Sequence, residues 1–200
     1  MANTIAEPAK IKAVALDFDG VMANLDLDWK VAIRQASEIA GYDIKSLITF
    51  YEKCFGTPLF QEINAEMEKL EIQALKTSPI LPHVKETIEK LAERKVDLFI
   101  VSMQSYRVIK TFLDQNGLAG YFKDIIPREK CPNKKAQVEY VLKNYNVNPI
   151  QLLLVDDSKR NITLCSELGI SCFHFQNTVQ FLRKGNNAKE PWDKVVNLIV

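Results

Sequence analysis

Two carboxylates, Asp17 and Asp19, close an apolar run around a single Phe, and Gly20 follows directly. Burying unpaired carboxylates costs several kcal/mol, so a strand that ends this way implies a bound partner for the charge. Asp26 and Asp28 lie a few residues on. Either they join the same mouth, or they cap a helix beginning at Trp29, where acids favour the positive end of the helix dipole. The same kind of ending recurs along the chain. "DLFIVS" finishes at Ser102 and "LLLVD" at Asp156, with Asp157 and Ser158 next, while "CPNKKAQVEY" sets Lys134 and Lys135 at a helix start.

Acids that converge without histidines form an all-oxygen site, which suits Mg²⁺. Zinc is poorly served: there are two histidines, His83 and His174, neither with a second ligand nearby, and the four cysteines contain no CxxC. A carboxylate beside Mg²⁺ serves as a nucleophile towards phosphorus, giving an aspartyl-phosphate. A lysine with hydroxyl or amide donors then stabilises the phosphoryl oxygens. Asp19, two residues after Asp17, returns to the same mouth because strand side chains alternate with period two. Beside the leaving oxygen it is placed to act as general acid, and later as base towards water.

The elements that must position these groups are legible as short apolar runs: residues 12–17, 97–102, 123–127, 152–156 and 171–175. Between them lie amphipathic helical patterns, two of which stop at Gly117 and Gly169. Strands apolar along their whole length, alternating with such helices, predict an α/β fold: a Rossmann-like three-layer core with a five-stranded parallel sheet. In such sheets ligands bind at the carboxyl ends of the strands, where Asp17, Ser102 and Asp156 fall. Residues 25–78 break the alternation with about three successive helices and no strand, an interval far longer than an ordinary crossover. The economical reading is an all-helical module inserted into a core formed by residues 1–24 and 79–200. The tail from about residue 185 reads as a linker and a final docking helix.

The 200 residues are 47% hydrophobic and 26% charged with a net charge of +1, an ordinary globular composition without a field to attract nucleic acid or an anionic membrane. The first ten residues lack an apolar core, and no run is long enough to span a bilayer. With scattered cysteines read as reduced thiols, the expectation is a cytoplasmic protein.

At these residues the sequence resembles the haloacid dehalogenase (HAD) superfamily, in its phosphatase branch. The motif DxD-G-[TV] stands as Asp17-Phe18-Asp19-Gly20-Val21. An apolar strand ending in Ser or Thr stands as "LFIVS", the lysine before a helix lies in "NKKAQV", and the acidic pair after a strand is in "LLLVDD". The motifs occur in order, on strands covering about residues 11–175. The resemblance implies that Asp17 is nucleophile and metal ligand, and that Asp19 is general acid/base with its main-chain carbonyl on Mg²⁺. It implies that Ser102 and the Met103 N–H bind the phosphoryl group, that Asp157 ligates the metal directly and Asp156 through water, and that Asn161 supports them. The motif lysine is Lys134 by its distance from the acidic pair, or Lys135 by helix phasing. The helical insertion is similar to a C1 cap of phosphoglycolate phosphatase-like members, with Arg34, Tyr51 and Lys53 as candidate substrate contacts.

Asp19 argues against the dehalogenase branch, and the short cap against a phosphomutase. A catalytically silent binding protein would not need the acid/base, and a two-component receiver domain would carry no cap. The expected function is Mg²⁺-dependent hydrolysis of a small phosphorylated metabolite, with no nucleic-acid, membrane or protein partner inferred.

Overall fold

The structure is a computed structural model and describes residues 10–176 and 189–199. Five parallel strands form one sheet: β1 (Ala13–Leu16), β2 (Asp97–Val101), β3 (Phe122–Ile126), β4 (Leu152–Asp156) and β5 (Ser171–His174), in the order β3-β2-β1-β4-β5. Period-two alternation feeds two cores. Val14, Leu16, Leu98, Ile100, Leu153 and Val155 point into one, while Ala13, Ala15, Phe99, Val101, Leu152 and Leu154 point into the other. With no face left for water, these strands read as unbroken apolar runs.

Helices cover both faces. The first core is closed by α4 (Val84–Glu93), α5 (Tyr106–Gln115) and α8 (Lys189–Asn197), through Ile88, Phe112 and Trp192 among others. The second is closed by α6 (Lys134–Asn144) and α7 (Lys159–Ser166), through Val138, Val141 and Cys165. The protein thus has the three-layer α/β fold that the strand and helix alternation predicts. The final helix docks as expected: Trp192 packs on Phe175 with ring centroids 4.5 Å apart, and Arg94 Nη1 donates to the Val196 carbonyl at 2.7 Å. Its predicted linker, and the first nine residues, lie outside the described residues.

Three helices stand between β1 and β2: α1 (Trp29–Ala40), α2 (Leu47–Cys54) and α3 (Pro58–Leu75). Each starts at a side-chain cap, Asp28, Ser46 and Thr57, accepting from main-chain N–H groups of its first turn; such caps contribute about 1 kcal/mol each. Their apolar faces form a separate cluster, with Ala36, Phe50, Tyr51, Phe60, Ile63 and Met67 buried. Met103, from the loop after β2, packs against it.

The sheet order places β1 between β2 and β4: the chain runs from β1 outward to β2 and β3, then crosses back to β4 on the other side, and a crevice opens at the carboxyl end of β1. Register makes the crevice flush: Leu16 pairs with Ile100 on one side and Val155 on the other. The next residues are Asp17, Val101 and Asp156.

Candidate active site

Asp17 and Asp156 emerge side by side, and Lys134 joins them. Asn133 caps α6 by accepting from Ala136 N at 2.9 Å, which sets Lys134 at the first helical position. Its Nζ lies 2.9 Å from Asp17 Oδ1 and 3.2 Å from Asp156 Oδ2, and donates to the Val101 carbonyl. Asp156, fully buried, also accepts from Ser158 N at 2.8 Å and from Asn161 Nδ2 at 3.1 Å. Asp17 Oδ1 accepts from Phe18 N at 2.7 Å, and Asp19 Oδ1 from Leu25 N at 2.8 Å.

Gly20 makes this packing feasible. Its φ of +81° belongs to the left-handed region, and a Cβ there would meet Asp157 Oδ2 at 2.2 Å, inside any tolerable contact. The bare backbone lets Asp157 lean over the β1 turn. Asp17, Asp156 and Asp157 then present carboxylate oxygens all within 4.8 Å of one another.

Burial first, and the crowding of negative charge after it, raise the pKa values of Asp17, Asp19 and Asp157. Burial pushes Asp17 up to about 7; Lys134 works against the shift and Asp156 adds to it. Asp19 and Asp157 rise to about 6, each chiefly by burial, with Asp156 adding to the second. Burial disfavours the Lys134 charge, but Asp17 and Asp156 outweigh it and hold its proton on. One ammonium does not neutralise this set. The oxygen donors, their mutual distances and the uncompensated charge fit a hard divalent cation such as Mg²⁺.

A cavity of about 380 Å³ lies over these groups, lined by Asp17, Asp19, Lys134, Asp157 and Asn161 on the strand side and by residues of α1 and α2 opposite. Ser102 is fully buried at the end of β2 with its hydroxyl turned to Gln104 Oε1; it is Gln104 and Met103 that reach the cavity wall. Lys135 does not join the site: one helical position from Lys134, it faces about 100° away and pairs with Glu167 at 2.8 Å on the surface. Of the three cap candidates, Tyr51 lines the cavity, whereas Arg34 and Lys53 stand exposed outside it. Lys45, between α1 and α2, is the lysine of this segment that lines the cavity. Asp28 is the α1 cap; Asp26 is exposed and neither caps that helix nor lines the cavity.

Three functional neighbours escape a reading of motifs. Gln137, buried one turn after Lys134, donates from Nε2 to the Ser102 carbonyl at 2.6 Å. Arg128, between β3 and α6, is 1% exposed and reaches from the core into the helical module. There it pairs with Glu71 of α3 at 2.5 Å, bonds Asn64, and lies 5.3 Å over the Tyr51 ring; its Nη1 also donates to the Met103 carbonyl at 3.0 Å. The signal was present for two of the three. Glu71 stands in the buried stripe Ile63, Met67, Glu71, Ala74, and Gln137 stands beside Val138 and Val141. A polar residue in an apolar phase announces a buried partner.

Residues 14–175 match the haloacid dehalogenase-like hydrolases. The chain belongs to that family. Among similar proteins is a phosphoglycolate phosphatase from Vibrio vulnificus, 26% identical over 189 residues, 82% of this chain and 83% of the relative. Another, from Vibrio cholerae, is 27% identical over 206 residues, 90% and 88% of the two chains. The fold matches that of CbbY from Rhodobacter sphaeroides in complex with phosphate, at a TM-score of 0.61 and 15% identity over 81% of this chain and 84% of that one. The protein is therefore a HAD phosphatase, phosphoglycolate phosphatase-like; such phosphatases are generally metal-dependent, and this one has a cluster of three aspartates. No helix among the described residues is long and apolar enough to cross a membrane.

Proposed function

We propose that the protein is a Mg²⁺-dependent phosphatase that hydrolyses a small phosphate monoester by passing the phosphoryl group to Asp17 and then to water. The convergence of Asp17, Asp156 and Lys134 at the ends of β1 and β4 carries the reading. Asp17, the Asp19 main-chain carbonyl and Asp157 would hold the Mg²⁺, which supplies charge neutralisation for the carboxylates and the phosphoryl oxygens. Asp156, already bonded by Ser158, Asn161 and Lys134, supports the set through water.

Asp17 attacks phosphorus, and Asp19 gives its proton to the leaving oxygen. A carboxyl raised to about 6 is suited to that exchange near neutrality. Asp19, now ionised, takes a proton from the water that attacks the aspartyl-phosphate. Lys134 holds a phosphoryl oxygen, with the Met103 N–H as a further donor, while the Ser102 hydroxyl, engaged by Gln104, fixes the loop after β2. Residues 25–78 act as a C1-type lid that keeps bulk water out. Phosphoglycolate belongs on a substrate panel because similar proteins bear that name.

The test is hydrolysis of p-nitrophenyl phosphate with Mg²⁺, with EDTA, and by Asp17→Asn. Turnover should require the metal and vanish in the variant. Metal-independent turnover, or an active Asp17→Asn protein, would overturn the reading.

A further inference from the structure

The far side of the cavity says which alcohol the ester carries. About 380 Å³ is room for an organic group well beyond two carbons. The wall facing the acids is apolar and aromatic: Trp29, Ile33, Leu47, Ile48, Tyr51 and Met103. Beyond the cluster of Asp17, Asp19, Asp157 and Lys134, the charged groups of the lining are Glu71, Arg128 and Lys45.

Each of those cations is already engaged. Lys134 serves Asp17 and Asp156, and Lys45 pairs with Asp43 at the rim. Arg128, placed where a substrate anion would find it, is 2.5 Å from Glu71. Asn64, the Met103 carbonyl and the Tyr51 ring take up the rest of its guanidinium.

We infer that the preferred substrates are phosphate monoesters of an uncharged, largely apolar alcohol, and that esters whose alcohol part bears a second anion are rejected. The inference rests on the phosphatase reading above. Glu71 is the discriminating residue. A carboxylate beyond the phosphate would be desolvated near Glu71, with Arg128 already taken by that residue and only the exposed rim pair of Lys45 with Asp43 beside it, and specificity built from an unpaired charge is strong. Phosphoglycolate is such an ester.

The experiment compares kcat/KM of the Mg²⁺-loaded protein on benzyl phosphate, 4-carboxybenzyl phosphate and phosphoglycolate, with p-nitrophenyl phosphate in the same assay. Benzyl phosphate and its 4-carboxy analogue have similar leaving groups and differ in the distal charge. Benzyl phosphate should exceed both anionic esters by about tenfold or more. Phosphoglycolate or the carboxybenzyl ester matching it, or benzyl phosphate not being turned over, would overturn the inference while turnover of p-nitrophenyl phosphate keeps the phosphatase reading intact. Without turnover of p-nitrophenyl phosphate or the other three, both fall. In Glu71→Gln, which frees Arg128, the benzyl-to-carboxybenzyl ratio should fall several-fold; an unchanged ratio in the folded variant would overturn the role given to Glu71. Should that variant not fold, the wild-type ranking decides alone.

Discussion

Asp17, Asp19 and Asp157 make the metal-free protein sensitive to pH in a stated direction. Their folded-state pKa values, about 7, 6 and 6, lie above the ordinary 3.8. The native state therefore holds extra protons between about pH 4 and 7, and their stabilising effect is lost as pH rises through that window. In EDTA, Tm by thermal scanning should fall from pH 5 to pH 8. Mg²⁺ should raise it at pH 8 and much less at pH 5, where protons compete for the oxygens. A Tm indifferent to both would contradict the charge account. Lys134→Met should lose about 10²–10³ in kcat, the usual effect of removing one donor to a developing charge. Lys135→Ala, at a surface pair with Glu167, should stay within about twofold. At this scale Asp17 and Asp156 were legible because each stands at the end of an apolar strand, whereas nothing in "LFIVS" tells that the Ser102 hydroxyl turns to Gln104. Lys134 and Lys135 were not separable, since both open one helix and only their angular phase on it tells them apart.

At the scale of elements, the strands were the plainest features. β1 and β4 are buried throughout, so their sequences carry no polar interruption to blur the limits. The stripe of α3 was harder to read. Glu71 sits in its apolar phase and is satisfied by Arg128, 57 positions away, a distance over which no local pattern speaks. Burial pushes the Glu71 carboxyl up and Arg128 holds it down. Removing one partner strands a buried charge, so Arg128→Met should destabilise the protein by about 3–5 kcal/mol in urea melts. Adding Glu71→Met to it should recover a large part of that loss, as apolar side chains replace the pair. A double variant no more stable than Arg128→Met would show that the pair contributes through the Asn64 and Met103 contacts instead.

Over the whole molecule, two cores on the faces of one sheet fix the strand ends, and a third cluster in α1–α3 closes over them. Arg128 and Met103 tie the two parts together at the wall of the cavity. The parallel sheet could be expected from the alternation of strands and helices, though not the order of its strands. The closeness of the helical module could not, because it depends on one arginine in a connecting loop. Such an arrangement predicts a phosphoryl group held on Asp17 in a mouth shielded from bulk water, and that is directly measurable. Borohydride added during turnover reduces an aspartyl-phosphate to homoserine, which peptide mass spectrometry locates. Homoserine at position 17, dependent on substrate and Mg²⁺, is the result expected. Homoserine at another aspartate, or none while product accumulates, would contradict the role given to Asp17.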